Sequence, residues 1–73
     1  MANEHLELRL QFGRRVRQLR LVRNWRQVDL CKHAKLSESY VSDLELGKRE
    51  ARLSTIKELA DAFGITIIEL LTW

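Results

Sequence analysis

Glu38, Ser39, Ser42 and Asp43 are polar side chains grouped within about two helical turns, and they can exchange hydrogen bonds with the edges of nucleic-acid bases. Arg26 and Gln27 precede them, a cation and an amide suited to an oxyanion. Lys48, Arg49 and Arg52 follow in a polar stretch. Upstream, seven arginines fall between Arg9 and Arg26, and no acid interrupts the run from Leu8 to Val28. Such a cationic ramp is the electrostatic footprint of a polyanion-binding surface. The chemistry is recognition rather than turnover. No glycine-rich phosphate loop is present, no nucleophile has a base in motif context, and 73 residues leave little volume for a substrate pocket, so no enzyme is expected. His5 and His33 lack ligand spacing with Cys31, and neither metal nor cofactor is expected.

These groups need helices to hold them. Proline is absent, glycine occurs three times, and apolar residues recur every three or four positions, which predicts an all-α chain of five helices forming one unit over 1–73. Leu8, Phe12, Val16 and Leu19 share one face of a helix from about Glu7 to Arg23, ended by Asn24 in a left-handed conformation. A second helix over Gln27–Ala34 buries Val28, Leu30 and Cys31. Ser37 caps a third, with Tyr40, Val41 and Leu44 inward and Leu46-Gly47 closing it. A fourth carries Ile56, Leu59, Ala60 and Phe63 and stops at Gly64. Thr66 and Glu69 form a capping box for a short fifth helix, Ile67 to Leu71 or Thr72, in a C-terminal segment over 66–72.

Residues 26–47 thus read as two short helices joined by a tight turn, and a basic ramp leading into such a motif points to double-stranded DNA as partner. The helix before the turn aims its N-terminus, with Gln27, at a phosphate. Glu38, Ser39, Ser42 and Asp43 face bases, while Arg26, Gln27, Ser37, Tyr40, Lys48, Arg49 and Arg52 form the phosphate set. Two alternatives stand beside this. Glu38 is either an acceptor for cytosine N4 or a first-turn carboxylate on the helix dipole, and Asp43 is either a base contact or a solvated or arginine-paired acid.

The string Leu19-Arg20, Trp25-Arg26-Gln27, Leu30, Ala34, Leu36-Ser37, Tyr40-Val41-Ser42, Leu44-Glu45, Gly47-Lys48-Arg49, Leu53, Thr55-Ile56, Leu59-Ala60, Ala62-Phe63-Gly64-Ile65 and Glu69-Leu70-Leu71 resembles the phage repressor and Cro-like helix-turn-helix family. The match runs from about Phe12 to Leu71. Its short length and lack of an effector domain are similar to the controller proteins of restriction-modification systems. The resemblance implies a lambda-repressor-like fold, a transcriptional regulator, and an ion pair between Arg20 and Glu45 that clasps helices one and three. Three positions depart from the family pattern: Arg26 where a serine or threonine cap is usual, Lys35 at a turn position often glycine, and Ala51 at a loop position often proline.

The remaining features bound the setting. A net charge of +3 is modest, and a single cysteine rules out an intrachain disulfide, in keeping with a reducing compartment. No signal peptide or spanning apolar run is evident, so a soluble, cytoplasmic protein without a membrane partner is expected. Cys31 reads as a buried inert thiol and Trp25 as a core residue. Ile67, Ile68, Leu71 and Trp73 carry more apolar surface than a small subunit hides, predicting a homodimer interface and a pseudo-palindromic operator with half-sites about 34 Å apart. RNA polymerase is a candidate further partner. The rival reading is a protein-binding adaptor or antitoxin-like module on the same fold.

Overall fold

The computed structural model describes residues 5–73; the first four residues of the unit expected over 1–73 lie outside the described part. Among the described residues there are five α-helices and no strand: α1 Leu6–Leu21, α2 Gln27–Ala34, α3 Glu38–Glu45, α4 Leu53–Phe63 and α5 Ile67–Leu70. α1 packs along α3, and α2 is held between α3 and α4. Leu30, Leu44, Leu59, Leu70, Val16 and Val41 meet in the centre, so every helix contributes a fully buried side chain. Burying each of these aliphatic side chains contributes about 1.5–3 kcal/mol, and the fold rests on that shared centre rather than on any isolated helix.

Four helices end by the same device. Asn24, Lys35, Gly47 and Gly64 all have positive φ, between 56° and 75°. After each, the next residue's N–H closes back on the carbonyl five residues earlier: Trp25 on Arg20, Leu36 on Cys31, Lys48 on Asp43 and Ile65 on Ala60, at 2.9–3.2 Å. This is the Schellman pattern, and its asparagine or glycine signal made the stops at Asn24, Gly47 and Gly64 readable. Lys35 adopts φ 56° and ψ 42° despite its Cβ, at a cost of about 1–2 kcal/mol that glycine would avoid.

Starts are equally local. Ser37 Oγ accepts the Tyr40 N–H at 3.2 Å, and Thr66 and Glu69 exchange hydrogen bonds of 2.9 and 3.0 Å in a complete capping box. α2 has only half of one. The Arg26 side chain offers no acceptor, but Asp29 reaches back to the Arg26 N–H at 2.8 Å.

Three sequence expectations are corrected. α2 buries Leu30 and Cys31 but not Val28, which is only partly covered and stands outside the core cluster. Leu8 does not join the core face of α1. It is 53% exposed and lines an open groove with Phe12, Ile56, Leu71 and Trp73. The fifth helix does not reach Leu71 or Thr72: α5 stops at Leu70. Gly13, which periodicity did not single out, sets the spacing of α1 and α3. A Cβ there would lie 2.6 Å from the Glu45 carbonyl oxygen and nearer still to that of Leu44. Only a residue without a side chain lets the two backbones approach so closely.

Candidate nucleic-acid interface

The first turn of α3 presents Glu38 and Ser39 exposed, with Ser42 and Asp43 half-buried behind them. Beside this turn runs a polar groove of about 410 Å³, walled by Lys35, Ser37, Ser39, Arg49, Arg52 and Ser54. The groove gathers the end of α2, the start of α3 and the start of α4. Ser37 uses its oxygen as the α3 cap and keeps its proton for a further acceptor.

On the other side of α3, Glu45 is a hub. Arg20 Nε donates to Oε2 at 2.7 Å and Nη2 to Oε1 at 2.9 Å, while Nη1 donates to the Trp25 carbonyl at 2.8 Å. Both side chains are nearly buried, at 10% and 4% exposure, so the pair fixes the crossing of α1 and α3. The hydrogen bond to Glu45 raises the Arg20 pKa against the opposing effect of burial. Gln27 Nε2 also donates to Glu45 Oε1, at 3.2 Å. Its amide is thereby oriented at the first turn of α2, with a second N–H left for an anion. Arg26 at the same end is paired with Asp29, Nε to Oδ2 at 3.3 Å, and its guanidinium is exposed. The hydrogen bond from the Arg26 backbone N–H is the main reason that the Asp29 carboxyl sits below its ordinary pKa.

The loop between α3 and α4 is tied down through Tyr40. Its hydroxyl lies 3.4 Å from the Glu50 carbonyl, to which it donates, and 3.3 Å from Thr55 Oγ1. A phenol has one proton, and in this arrangement the loop takes it. Arg49 lies over the Tyr40 ring, 5.8 Å from its centroid, and its Nε stands 3.1 Å from Asp43 Oδ2. Lys48 and Arg52 are exposed on either side. Asp43 therefore sits with an arginine, as one of its two sequence readings had it.

The arginine ramp resolves differently from its expected use as one anion-binding surface. Arg9 Nε donates to the Gly47 carbonyl at 2.9 Å, beyond the end of α3. Arg15 donates to Glu69 and Leu70 carbonyls at 2.7 and 3.2 Å, closing α5. Arg23 donates to Leu19 and Phe63 carbonyls, each at 2.8 Å, closing α4. These three of the seven reach carbonyls at or just beyond the ends of other helices, where a cation meets unsatisfied carbonyls and the negative end of the helix dipole, while Arg20 is committed to the Glu45 carboxylate and the Trp25 carbonyl. A signal existed. Arg9, Arg20 and Arg23 fall seven, four and seven residues from the buried Val16, the register of the core stripe itself. Arg14 and Arg17 remain exposed, Arg14 with Glu7 at 3.6 Å.

At the far end, Ile67, Ile68, Leu71 and Trp73 form an exposed apolar surface, with the Trp73 ring tilted against Phe12 at 6.4 Å. Trp25 is stacked between His33 at 4.3 Å and Phe63 at 5.9 Å, a structural role. Cys31 is buried, and burial raises its thiol pKa. Among the described residues no group of histidine, cysteine and carboxylate side chains could hold a metal ion, and no helix is long and apolar enough to cross a membrane.

A family model described as a helix-turn-helix domain matches residues 11–73. The control protein C.BamHI of Bacillus amyloliquefaciens is 38% identical over 65 residues, 88% of this chain and 80% of that protein. The HTH-type transcriptional regulator DdrOP3 of Deinococcus deserti is 42% identical over 57 residues, 78% of this chain, but the match spans only 44% of its own length. Among solved structures, the restriction-modification controller protein C.AhdI from Aeromonas hydrophila superposes with a TM-score of 0.82 at 37% identity, covering 85% of this chain and 94% of that one.

Proposed function

The chain belongs to the helix-turn-helix family of transcriptional regulators, and we propose that it binds a specific pseudo-palindromic operator in double-stranded DNA as a homodimer, in the cytoplasm. What supports this is that Glu38 and Ser39 are exposed at the first turn of α3, with the Gln27 amide held on Glu45 and the cations Arg49 and Arg52 in the groove that Ser39 also lines. In the proposed complex the first turn of α3 enters the major groove. Glu38, Ser39 and Ser42 meet base edges, while Gln27, Arg26, the Ser37 hydroxyl and the loop cations fix the register on phosphates. Glu45 contributes indirectly, by holding the Gln27 amide.

The C-terminal surface of Ile67, Ile68, Leu71 and Trp73 is the proposed dimer contact. An isologous pairing there sets two α3 helices about 34 Å apart, the spacing of successive major grooves on one face of the duplex. A role as a restriction-modification controller is supported by matches to two controller proteins over 80% and 94% of their lengths. Contact with RNA polymerase belongs to the same proposal, since operator position decides whether the bound dimer activates or blocks.

Selection of bound duplexes from a random pool tests the reading. The expected product is one enriched site with two-fold symmetry, released as salt rises. Recovery of no enriched sequence at any salt would leave the protein-binding adaptor as the reading.

A further inference from the structure

Asp43 is a half-buried carboxylate on the recognition helix whose partner is a loop cation rather than open solvent. Arg49 Nε lies 3.1 Å from Asp43 Oδ2, and the Asp43 carbonyl accepts the Lys48 N–H at 2.9 Å, so this one residue secures two consecutive loop residues. Tyr40 supplies the second hold. Its ring underlies Arg49, and its hydroxyl reaches Glu50 and Thr55. Arg49 is thus kept at the edge of the polar groove while a carboxylate opposes its charge.

We propose that Asp43 determines specificity without reading a base: by opposing the charge of Arg49 it lowers affinity for arbitrary duplex DNA. The inference rests on the regulator reading above. An arginine facing phosphate strengthens binding to every sequence alike, because releasing counterions from the backbone carries no sequence information. Discrimination is a difference of affinities, so weakening that shared contribution widens the gap between operator and competitor. The Asp43–Arg49 pair is partly exposed, with side chains at 33% and 61%, and such a pair is weak enough to yield to a phosphate once base contacts seat α3. On an unrelated duplex, where α3 is not seated, the pair persists and Arg49 is withheld.

The experiment compares the wild-type 73-residue chain with D43N, R49Q and the double variant on the selected operator and on an unrelated duplex, across a salt series. D43N should bind the unrelated duplex about three- to tenfold more tightly at low salt and steepen the log-log salt slope by about 1–2 per dimer, lowering the operator preference. In the R49Q background the same substitution should change neither quantity. A D43N protein with unchanged non-specific affinity and slope but relaxed preference at one base position makes Asp43 a base reader and overturns the inference. An equal gain with and without Arg49 also overturns it, as general removal of negative charge. Helicity is measured on each variant, and D43S replaces D43N if the amide disturbs α3. A wild-type chain that binds no duplex at any salt overturns the regulator reading along with this one.

Discussion

Gln27 Nε2 stands 3.2 Å from the carboxylate oxygen of Glu45 that also accepts from Arg20. A surface amide at the start of α2 and a nearly buried ion pair between α1 and α3 therefore share one acceptor. Removing either partner has a different consequence. Glu45→Ala leaves the Arg20 guanidinium buried without its counter-charge and should cost about 3–5 kcal/mol of stability in urea unfolding. Gln27→Ala should cost no more than about 1 kcal/mol. It should nonetheless weaken binding to all duplexes alike, and a loss confined to one base position would contradict the phosphate role.

Gly13→Ala places a methyl against the Leu44 and Glu45 carbonyl oxygens, which are backbone and have no rotamer to move into. The expected destabilisation is about 1–3 kcal/mol, or more if the α1–α3 crossing cannot widen. Equilibrium unfolding checks it. A neutral result would mean that the helices separate freely, and the Arg20–Glu45 fork would then be expected to loosen in the same variant.

Acid should weaken the helix starts before it weakens the core. Asp29 is held below its ordinary pKa first by the Arg26 N–H, and Glu69 first by the Thr66 N–H. A folded-state pKa below the unfolded one means that the unfolded chain binds the proton more readily, so the contribution is fully present above the ordinary carboxylate range and is lost as pH falls through the lowered values. Thermal unfolding followed below the ordinary values of 3.8 and 4.5 should show this loss, and Asp29→Asn with Glu69→Gln should flatten it. Glu69 is exposed and Asp29 only partly buried, so the effect should be small.

Two neighbours on α5 should separate folding from assembly. Leu70 is fully buried, and Leu70→Ala should cost about 2–5 kcal/mol, enough to threaten a domain this small. Ile68 is 78% exposed, and Ile68→Glu should leave a folded chain. If α5 is the dimer contact, that variant sediments as a monomer and binds the operator more weakly. Wild-type sedimentation as a monomer at micromolar concentration, with half-site pairing on DNA unaltered by Ile68→Glu, would place the interface elsewhere.

The apolar period, the left-handed stops at Asn24, Gly47 and Gly64, and the starts at Ser37 and Thr66 were legible in the chain because each depends on residues within about five positions, whereas the stop at Lys35 came only from the family pattern. The exposed first turn of α3 was legible for the same reason: a cap and an apolar stripe fix which side chains face out. The carbonyl partners of the arginines were not, although the register of Arg9, Arg20 and Arg23 with Val16 showed that they face the core side of α1. Arg9 meets Gly47 across 38 residues, Arg23 meets Phe63 across 40, and Arg15 meets Leu70 across 55. A guanidinium on a flexible stem can serve a phosphate or a helix end equally well, and only the packing of α1 against the other helices brings those carbonyls within reach. Gly13 and Asp43 were decided in the same way. One is set by a backbone approach and the other by a loop position, and both exist only after the helices have crossed.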